Sequence, residues 1–165
     1  MWKILILVLV VLSLIYRLPL QGEIPTQMIE KSKELDKISK DKLELVKNIY
    51  IFVNNSYQSP VRQYLREPSK IFTKDIATIW SLRGSYMPSS QQNLIAKEML
   101  LATGKFDEND FELKSGWCKI SPHSVLFVDV DGKKVALDTW FADNSGEFNC
   151  YTFRPCGAEQ KVCLT

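Results

Sequence analysis

Apolar residues in the first third of the chain recur at a helical spacing. Between residues 27 and 55 they lie three, seven, four and three positions apart: Leu35, Ile38, Leu45, Ile49 and Phe52. This spacing puts them on one face of a helix, and the charged residues between Glu30 and Lys47 then fall on the solvated side. We therefore predict one long helix from Gln27 to about Asn55.

Two shorter helices are predicted further along the chain. The apolar pattern indicates a short helix around Ile71–Leu82. The next helix opens at Ser89, which forms a capping box with Gln92 three residues later. Gly104 ends that helix, since glycine readily takes the left-handed conformation found after a helix.

The last third of the chain contains two apolar runs separated by a turn signal. Ser124–Val130 and Lys133–Thr139 flank Asp131-Gly132, and an Asp-Gly pair in this position is a strong hairpin signal. With a two-residue turn, one face of the hairpin is uniformly apolar and must be buried: Leu126, Val128, Val130, Val135 and Leu137. The sequence therefore predicts an α+β fold, with helices packed on an antiparallel sheet.

The opposite face of this hairpin carries two polar residues that can act together. In the same register Val125 faces Asp138 and His123 faces Trp140, so His123 and Asp138 are diagonal neighbours. A carboxylate beside an imidazole fixes its tautomer and raises its basicity. The pair is a candidate general base with its orienting group, and the alternative is a polar pair at the surface.

The N-terminus has the pattern of an export signal or a membrane anchor. Lys3 precedes Ile4–Tyr16, an apolar run of 13 residues that only Ser13 interrupts. This length suits a signal peptide and is short for a bilayer span of about 20 residues, but the small-residue cleavage site is poor. Residues 1–20 are thus a cleaved signal peptide or an N-terminal hydrophobic helix that anchors the chain. Either way, we expect residues 21–165 to form one extracytoplasmic domain, secreted or anchored to the membrane by residues 2–20.

Composition narrows the classes of partner. The net charge of +2, from 21 basic and 19 acidic residues, gives no basic excess for binding nucleic acid. The seven glycines form no Gly-rich loop, so no nucleotide cofactor is expected. Four cysteines and one histidine without a C-x-x-C pair do not suggest a metal site. We therefore expect no cofactor, no metal and no nucleic-acid partner.

The cysteines are consistent with export. All four lie in the last 48 residues: Cys118, Cys150, Cys156 and Cys163. An even number in an exported chain predicts two disulfides, in one of three pairings. The functional alternative concerns Cys118, a candidate thiol nucleophile that stands five residues before His123.

Three segments occur in an informative order. Leu43–Tyr57 is followed by Arg83-Gly84 and by Pro88 with SSQQNLIAKEMLLATGK, and then by the hairpin from His123 to Trp140. This order resembles the transglutaminase-like branch of the papain-like thiol enzymes: a leading helix, a nucleophile helix, and a hairpin with His and then Asp. The resemblance covers about residues 43–140, and it implies a papain-like core without a cofactor.

The resemblance places the family's nucleophilic cysteine at Ser89. It implies Ser89 in the nucleophile position, His123 as general base and Asp138 as its orienting group. A helix N-terminus and an imidazolium can hold a thiol as thiolate, whereas a serine hydroxyl needs its proton removed as it attacks. Two alternatives stay open: Ser89 as a helix cap, worth about 1 kcal/mol, and an engineered Cys→Ser change.

Three functions are compatible with these residues. The first is an exported transglutaminase-like pseudoenzyme, whose degenerate acyl-transfer site binds a peptide, a protein or a cell-wall polymer. The second is an active amidohydrolase, peptidase or acyltransferase with a Ser89-His123-Asp138 triad. The third is an enzyme that uses Cys118. We favour the first, because Ser89 replaces the thiol on which the family's chemistry depends.

Overall fold

The computed structural model describes residues 20–58, 66–67, 70, 72–118, 121–139, 148–151 and 162–163, with the backbone alone for residues 116–118, 121–123, 151 and 162. Within these residues the fold is α+β, as predicted. The helices described are α1 Thr26–Ile38, α2 Lys42–Ser56, α3 Ile76–Ser81 and α4 Ser89–Leu101. A short 3-10 helix, Glu108–Asp110, precedes the strands β1 Phe111–Cys118, β2 Ser121–Val130, β3 Lys133–Leu137, β4 Cys150–Tyr151 and β5 Val162–Cys163.

The predicted signal or anchor segment lies outside the described residues, apart from Leu20. In the part of the chain that the structure describes, no helix has the length and apolar character needed to cross a bilayer. The division into residues 1–20 and 21–165 therefore stays a prediction.

The single long helix predicted between residues 27 and 55 is wrong, since α1 and α2 are separated by a break at residues 39–41. The Asp41 carboxylate caps α2 by accepting the Glu44 backbone N–H at 2.8 Å. The Glu44 carboxylate in turn accepts the Lys40 backbone N–H at 2.7 Å. These bonds satisfy backbone donors at the start of α2 and favour a new helix there. Ile38, predicted on the buried face, ends α1 and is 64% exposed.

The sheet is an antiparallel meander in the order β1-β2-β3. The two-residue turn at Asp131-Gly132 is confirmed, because Val130 pairs with Lys133 and the register continues to Leu126 with Leu137. Pairing of β2 with β3 stops there, so the predicted Val125–Asp138 pair is not part of the ladder. The predicted His123–Trp140 pair falls outside the described residues, which do not include Trp140.

The two faces of the sheet are those that the register predicts. The uniformly apolar face packs under the helices, with α4 against β2 and α2 against α4. Its residues belong to the main core: Leu126, Val128, Val130, Val135 and Leu137. The opposite face carries a second buried cluster of Val125, Phe127 and Ala136. Both faces are thus buried along the centre of β2.

The outer strand β1 carries charges along the face opposite the helices. Glu112 forms ion pairs with Lys114 at 3.3 Å and with Lys134 of β3 at 2.7 Å. The Lys114 ammonium also lies 5.0 Å from the centre of the Phe127 ring. These side chains run across the three strands on the sheet face that the helices do not cover.

The short helix predicted around Ile71–Leu82 is confirmed in shortened form as α3. It begins at Ile76 because the Asp75 carboxylate caps it, accepting the Thr78 backbone N–H at 2.6 Å. The buried Tyr57 hydroxyl donates to the Ile79 carbonyl at 3.1 Å. This bond ties the end of α2 to α3.

Burial of Tyr57 makes stability fall at alkaline pH. Burial raises the pKa of Tyr57 from its usual 10.0 to about 12, and the nearby Arg83 offsets only part of this. Between pH 10 and pH 12 the unfolded chain therefore loses the phenol proton while the folded chain keeps it. We expect the free energy of unfolding to fall across this window by on the order of 2 to 3 kcal/mol from this group.

Urea unfolding on both sides of this window measures the effect, with Tyr57→Phe as the control. The phenylalanine variant lacks the titrating group, so its stability should change less over the same pH interval. Equal losses in the two proteins would contradict the assignment to Tyr57.

Candidate functional site

The first turns of α4 are polar and buried. Ser89 is 9% exposed, and each of the next four residues is 3% exposed or less: Ser90, Gln91, Gln92 and Asn93. Burying polar side chains costs free energy unless they form hydrogen bonds. A run of this kind at the start of a core helix therefore needs either internal partners or a ligand.

The capping box predicted at Ser89 and Gln92 is wrong. Pro88 occupies the cap position, and its carbonyl accepts the backbone N–H groups of Gln91 and Gln92 at 3.1 Å each. The Gln92 side-chain amide reaches back to the Met87 carbonyl at 2.8 Å, so Gln92 does not contact Ser89 in the way a capping box requires. Ser89 is instead the first helical residue, one position after the cap residue.

His123 lies in β2, where its backbone is opposite Gly116 of β1. Its side chain is outside the described residues. The next residue, Ser124, is fully buried, and its carbonyl accepts a hydrogen bond from the Asn93 side-chain amide at 2.7 Å. Asn93 follows Ser89 by four residues, which is about one helical turn. The helix that carries Ser89 is thus bonded directly to the strand position beside His123.

Asp138 follows β3 and is fully buried. Its backbone carbonyl accepts a hydrogen bond from the hydroxyl of Tyr50, a buried residue of α2, at 2.8 Å. This contact joins the end of the hairpin to the helix layer. Asp138 is therefore held beyond the last β2–β3 pair by a side chain from another element.

The structure brings together the elements that carry the three predicted site residues. Asn93 links α4 to β2, and β2 pairs with β3, which Asp138 follows. The predicted contacts of Ser89 and Asp138 with the imidazole involve the His123 side chain, which is not described, so the triad itself stays a prediction.

Of the two predicted disulfides, the structure is compatible with one, between Cys150 and Cys163. Cys150 and Cys163 face each other across β4 and β5, and their sulfur atoms lie 2.18 Å apart, at disulfide distance. The backbone of Cys118 is at the end of β1, opposite Ser121, so this candidate nucleophile lies on a strand and not at a helix start. Cys156 falls outside the described residues.

No group of three or more metal-ligating side chains occurs within the described ranges. At the hairpin turn, the Asp129 carboxylate accepts the Gly132 backbone N–H at 2.7 Å. Asp131 forms an ion pair with Lys42 of α2 at 3.4 Å. The acidic residues of the turn thus have structural contacts of their own.

Two residues that sequence reasoning missed are Asn93 and Tyr50. Asn93 is fully buried on α4, and its side-chain oxygen accepts no hydrogen bond in the described part of the chain. A polar residue one turn after a candidate nucleophile is a signal that could have singled out Asn93. Tyr50 lies among apolar residues of α2, and nothing local to it points to Asp138.

In comparisons with known proteins, no family model, curated protein or solved structure matches this chain.

Proposed function

We propose that this chain is an exported transglutaminase-like domain with a degenerate acyl-transfer site, which binds a peptide or protein segment or a cell-wall polymer. Ser89 stands in the nucleophile position, with His123 as the base and Asp138 as its orienting group. We propose a papain-like core for residues 21–165 and extracytoplasmic location, either secreted or anchored by residues 2–20. The proposal includes no cofactor, metal or nucleic acid.

The observation that carries this proposal is the hydrogen bond from Asn93 to the Ser124 carbonyl. It holds the start of α4 against the beginning of β2, which is the arrangement that a nucleophile helix and a His-bearing strand require. Removing one partner of a buried hydrogen bond costs about 1 to 3 kcal/mol, so this bond fixes the two elements firmly. The proposal therefore rests on a contact between the two elements, in addition to the order of motifs.

The second observation is the absence of a capping role for Ser89. Pro88 holds the cap position of α4, so Ser89 is the first helical residue, and it is 9% exposed. The backbone N–H groups at the start of a helix favour an anion or a polarised oxygen. This position is compatible with the proposed acyl-binding role, but a serine hydroxyl lacks the acidity that makes a thiol reactive at neutral pH.

The substitution Ser89→Cys tests the proposed site. The start of α4 and a protonated His123 should lower the pKa of the new thiol, so it should react with iodoacetamide near pH 6 faster than an exposed thiol. We expect a rate at least about tenfold above that of the control, since each pKa unit of depression is a factor of ten in thiolate. Site-resolved mass spectrometry measures the alkylation of each cysteine separately.

Ser81→Cys supplies the matched control, because Ser81 is an exposed residue at the opposite, C-terminal end of the short helix α3. His123→Ala in the Ser89→Cys background should remove much of the gain in rate. An introduced thiol at residue 89 that reacts no faster than the one at residue 81 would overturn the proposal.

The second candidate function is an active serine enzyme that uses Ser89. The observation that favours it is the position of Ser89 as the first residue of α4, after the cap residue Pro88. Labelling of the unmodified protein at Ser89 by a fluorophosphonate would support this function. We expect no labelling, together with a reactive thiol in Ser89→Cys.

A further inference from the structure

The two-stranded sheet formed by β4 and β5 lies beside β3. Cys150 pairs with Cys163 and Tyr151 with Val162. Asn149, just before β4, has the left-handed φ of 62°, and its side-chain oxygen accepts the Ala136 backbone N–H at 2.8 Å. The residue before β4 thus supplies a hydrogen bond to β3 on the edge that β2 does not cover.

The residue before Asn149 contacts the residue that holds Asp138. The ring of Phe148 lies 5.7 Å from the ring of Tyr50, centre to centre, with the planes tilted by 56°. Tilted aromatic pairs at this distance attract each other beyond the area they bury. The Tyr50 hydroxyl then reaches the Asp138 carbonyl at 2.8 Å.

This chain of contacts matters because the β2–β3 ladder stops one residue short of Asp138. The last pair is Leu126 with Leu137, so the Asp138 carbonyl is beyond the paired part of the hairpin. A buried carbonyl needs a hydrogen-bond donor, and Tyr50 supplies one. The Tyr50 hydroxyl is therefore one of the groups that hold the backbone at Asp138.

We propose that Tyr50 is a positioning residue for Asp138, and that the Cys150–Cys163 disulfide holds Tyr50 in place through Phe148, which makes the Asp138 end of the site sensitive to reduction. The role of Asp138 in that site rests on the proposed function. The reductant is a dithiol: the S–S bond between Cys150 and Cys163 breaks, each sulfur gains one electron and one proton, and the dithiol becomes a disulfide.

Amide hydrogen exchange of the full chain tests the role of the Cys150–Cys163 disulfide without an activity assay. In the double variant Cys150→Ser with Cys163→Ser, the Ala136 amide should exchange at least about tenfold faster, because Asn149 is no longer held beside it. Amides of the central strand β2 that pair with β1 should change by less than about twofold. Unchanged exchange at Ala136 would overturn the role of the disulfide.

Tyr50→Phe tests the positioning role, because it keeps the ring that contacts Phe148 and removes only the hydroxyl. The Thr139 amide, which shares its peptide bond with the Asp138 carbonyl, should exchange about tenfold faster in this variant. Tyr57→Phe is the matched control, since its hydroxyl also donates to a backbone carbonyl, that of Ile79. Equal exchange at Thr139 in the two variants would overturn the positioning role.

Tyr50→Phe and Tyr57→Phe in the Ser89→Cys background test whether the Tyr50 contact with Asp138 affects the proposed site. Tyr50→Phe should lower the alkylation rate of the introduced thiol near pH 6 by about tenfold and raise its apparent pKa, whereas Tyr57→Phe should leave the rate within about twofold. If the introduced thiol reacts fast and Tyr50→Phe does not slow it, the positioning role of Tyr50 is overturned and the proposed function is not. A thiol that is slow in every background would overturn the proposed function, and the exchange rates at Ala136 and Thr139 would still decide the inference.

Discussion

Replacing Leu126 with alanine is expected to lower the free energy of unfolding by about 2 to 5 kcal/mol. Leu126 is fully buried at the centre of β2, on the sheet face that packs under the helices. Truncation removes apolar contacts with the main core and leaves a cavity that a close-packed interior fills only in part. Urea unfolding followed by circular dichroism measures the loss.

The matched control for this prediction is Leu113→Ala. Leu113 is the β1 residue that pairs directly with Leu126, but it is 41% exposed at the edge of the sheet. Because its side chain loses less contact with the core, we expect a loss below about 1 kcal/mol. Equal losses at Leu113 and Leu126, which share one face of the sheet, would contradict the difference in burial between its centre and its edge.

Replacing Asn93 with aspartate is expected to lower the free energy of unfolding by about 3 to 5 kcal/mol at neutral pH. Asn93 is fully buried, and its amide donates to the Ser124 carbonyl. A carboxylate would put a buried charge against that carbonyl and remove the donor. The protonated acid, by contrast, can still donate its O–H to the Ser124 carbonyl.

The cost of Asn93→Asp should therefore depend on pH. Burial raises the pKa of the new carboxyl in the folded state above the unfolded value of about 3.9. The loss should then be smallest below this unfolded pKa and grow as the pH rises through the folded one. Asn55→Asp, at an exposed position near the end of α2, is the control. A cost that is the same at pH 4 and pH 7 would contradict the burial of the side chain.

The hairpin between β2 and β3 could be predicted because its signals are local. Asp131-Gly132 is a turn in which both residues take positive φ, 53° and 83°, and Gly tolerates this conformation without strain. The turn fixes the register, and the register fixes which residues face the helices. The faces of the sheet therefore follow from residues that are close together in the chain.

The break between α1 and α2 also had a local signal, which the periodicity concealed. Asp41 and Glu44 have the spacing of a helix N-terminus, and each accepts a backbone N–H there. The apolar spacing across the break stayed close to helical, so a periodic pattern alone could not separate one helix from two. Strand β1 was also missed, although Glu112 and Lys114 alternate with the apolar Phe111 and Leu113, a pattern typical of a half-buried strand.

The contacts that assemble the candidate site could not be predicted, because they join distant parts of the chain. Tyr50 and the Asp138 carbonyl are 88 residues apart, and Asn93 and the Ser124 carbonyl are 31 apart. No periodic pattern indicates which backbone carbonyl a buried side chain will reach. The prediction of Ser89 as a helix cap was wrong for a local reason. Pro88 occupies the cap position, so Ser89 is one residue inside the helix.

The charges along β1 also bear on how this protein behaves at high concentration. In the part of the chain that the structure describes, β1 is an end strand, and such strands can add a strand from a second molecule. An incoming strand would have to lie beside Glu112 and Lys114, whose charges are already paired across the sheet. These charged groups are about half exposed to solvent, and a neighbouring strand would remove part of their hydration at a cost in free energy. The ion pairs across the sheet therefore discourage growth of fibrils from this edge.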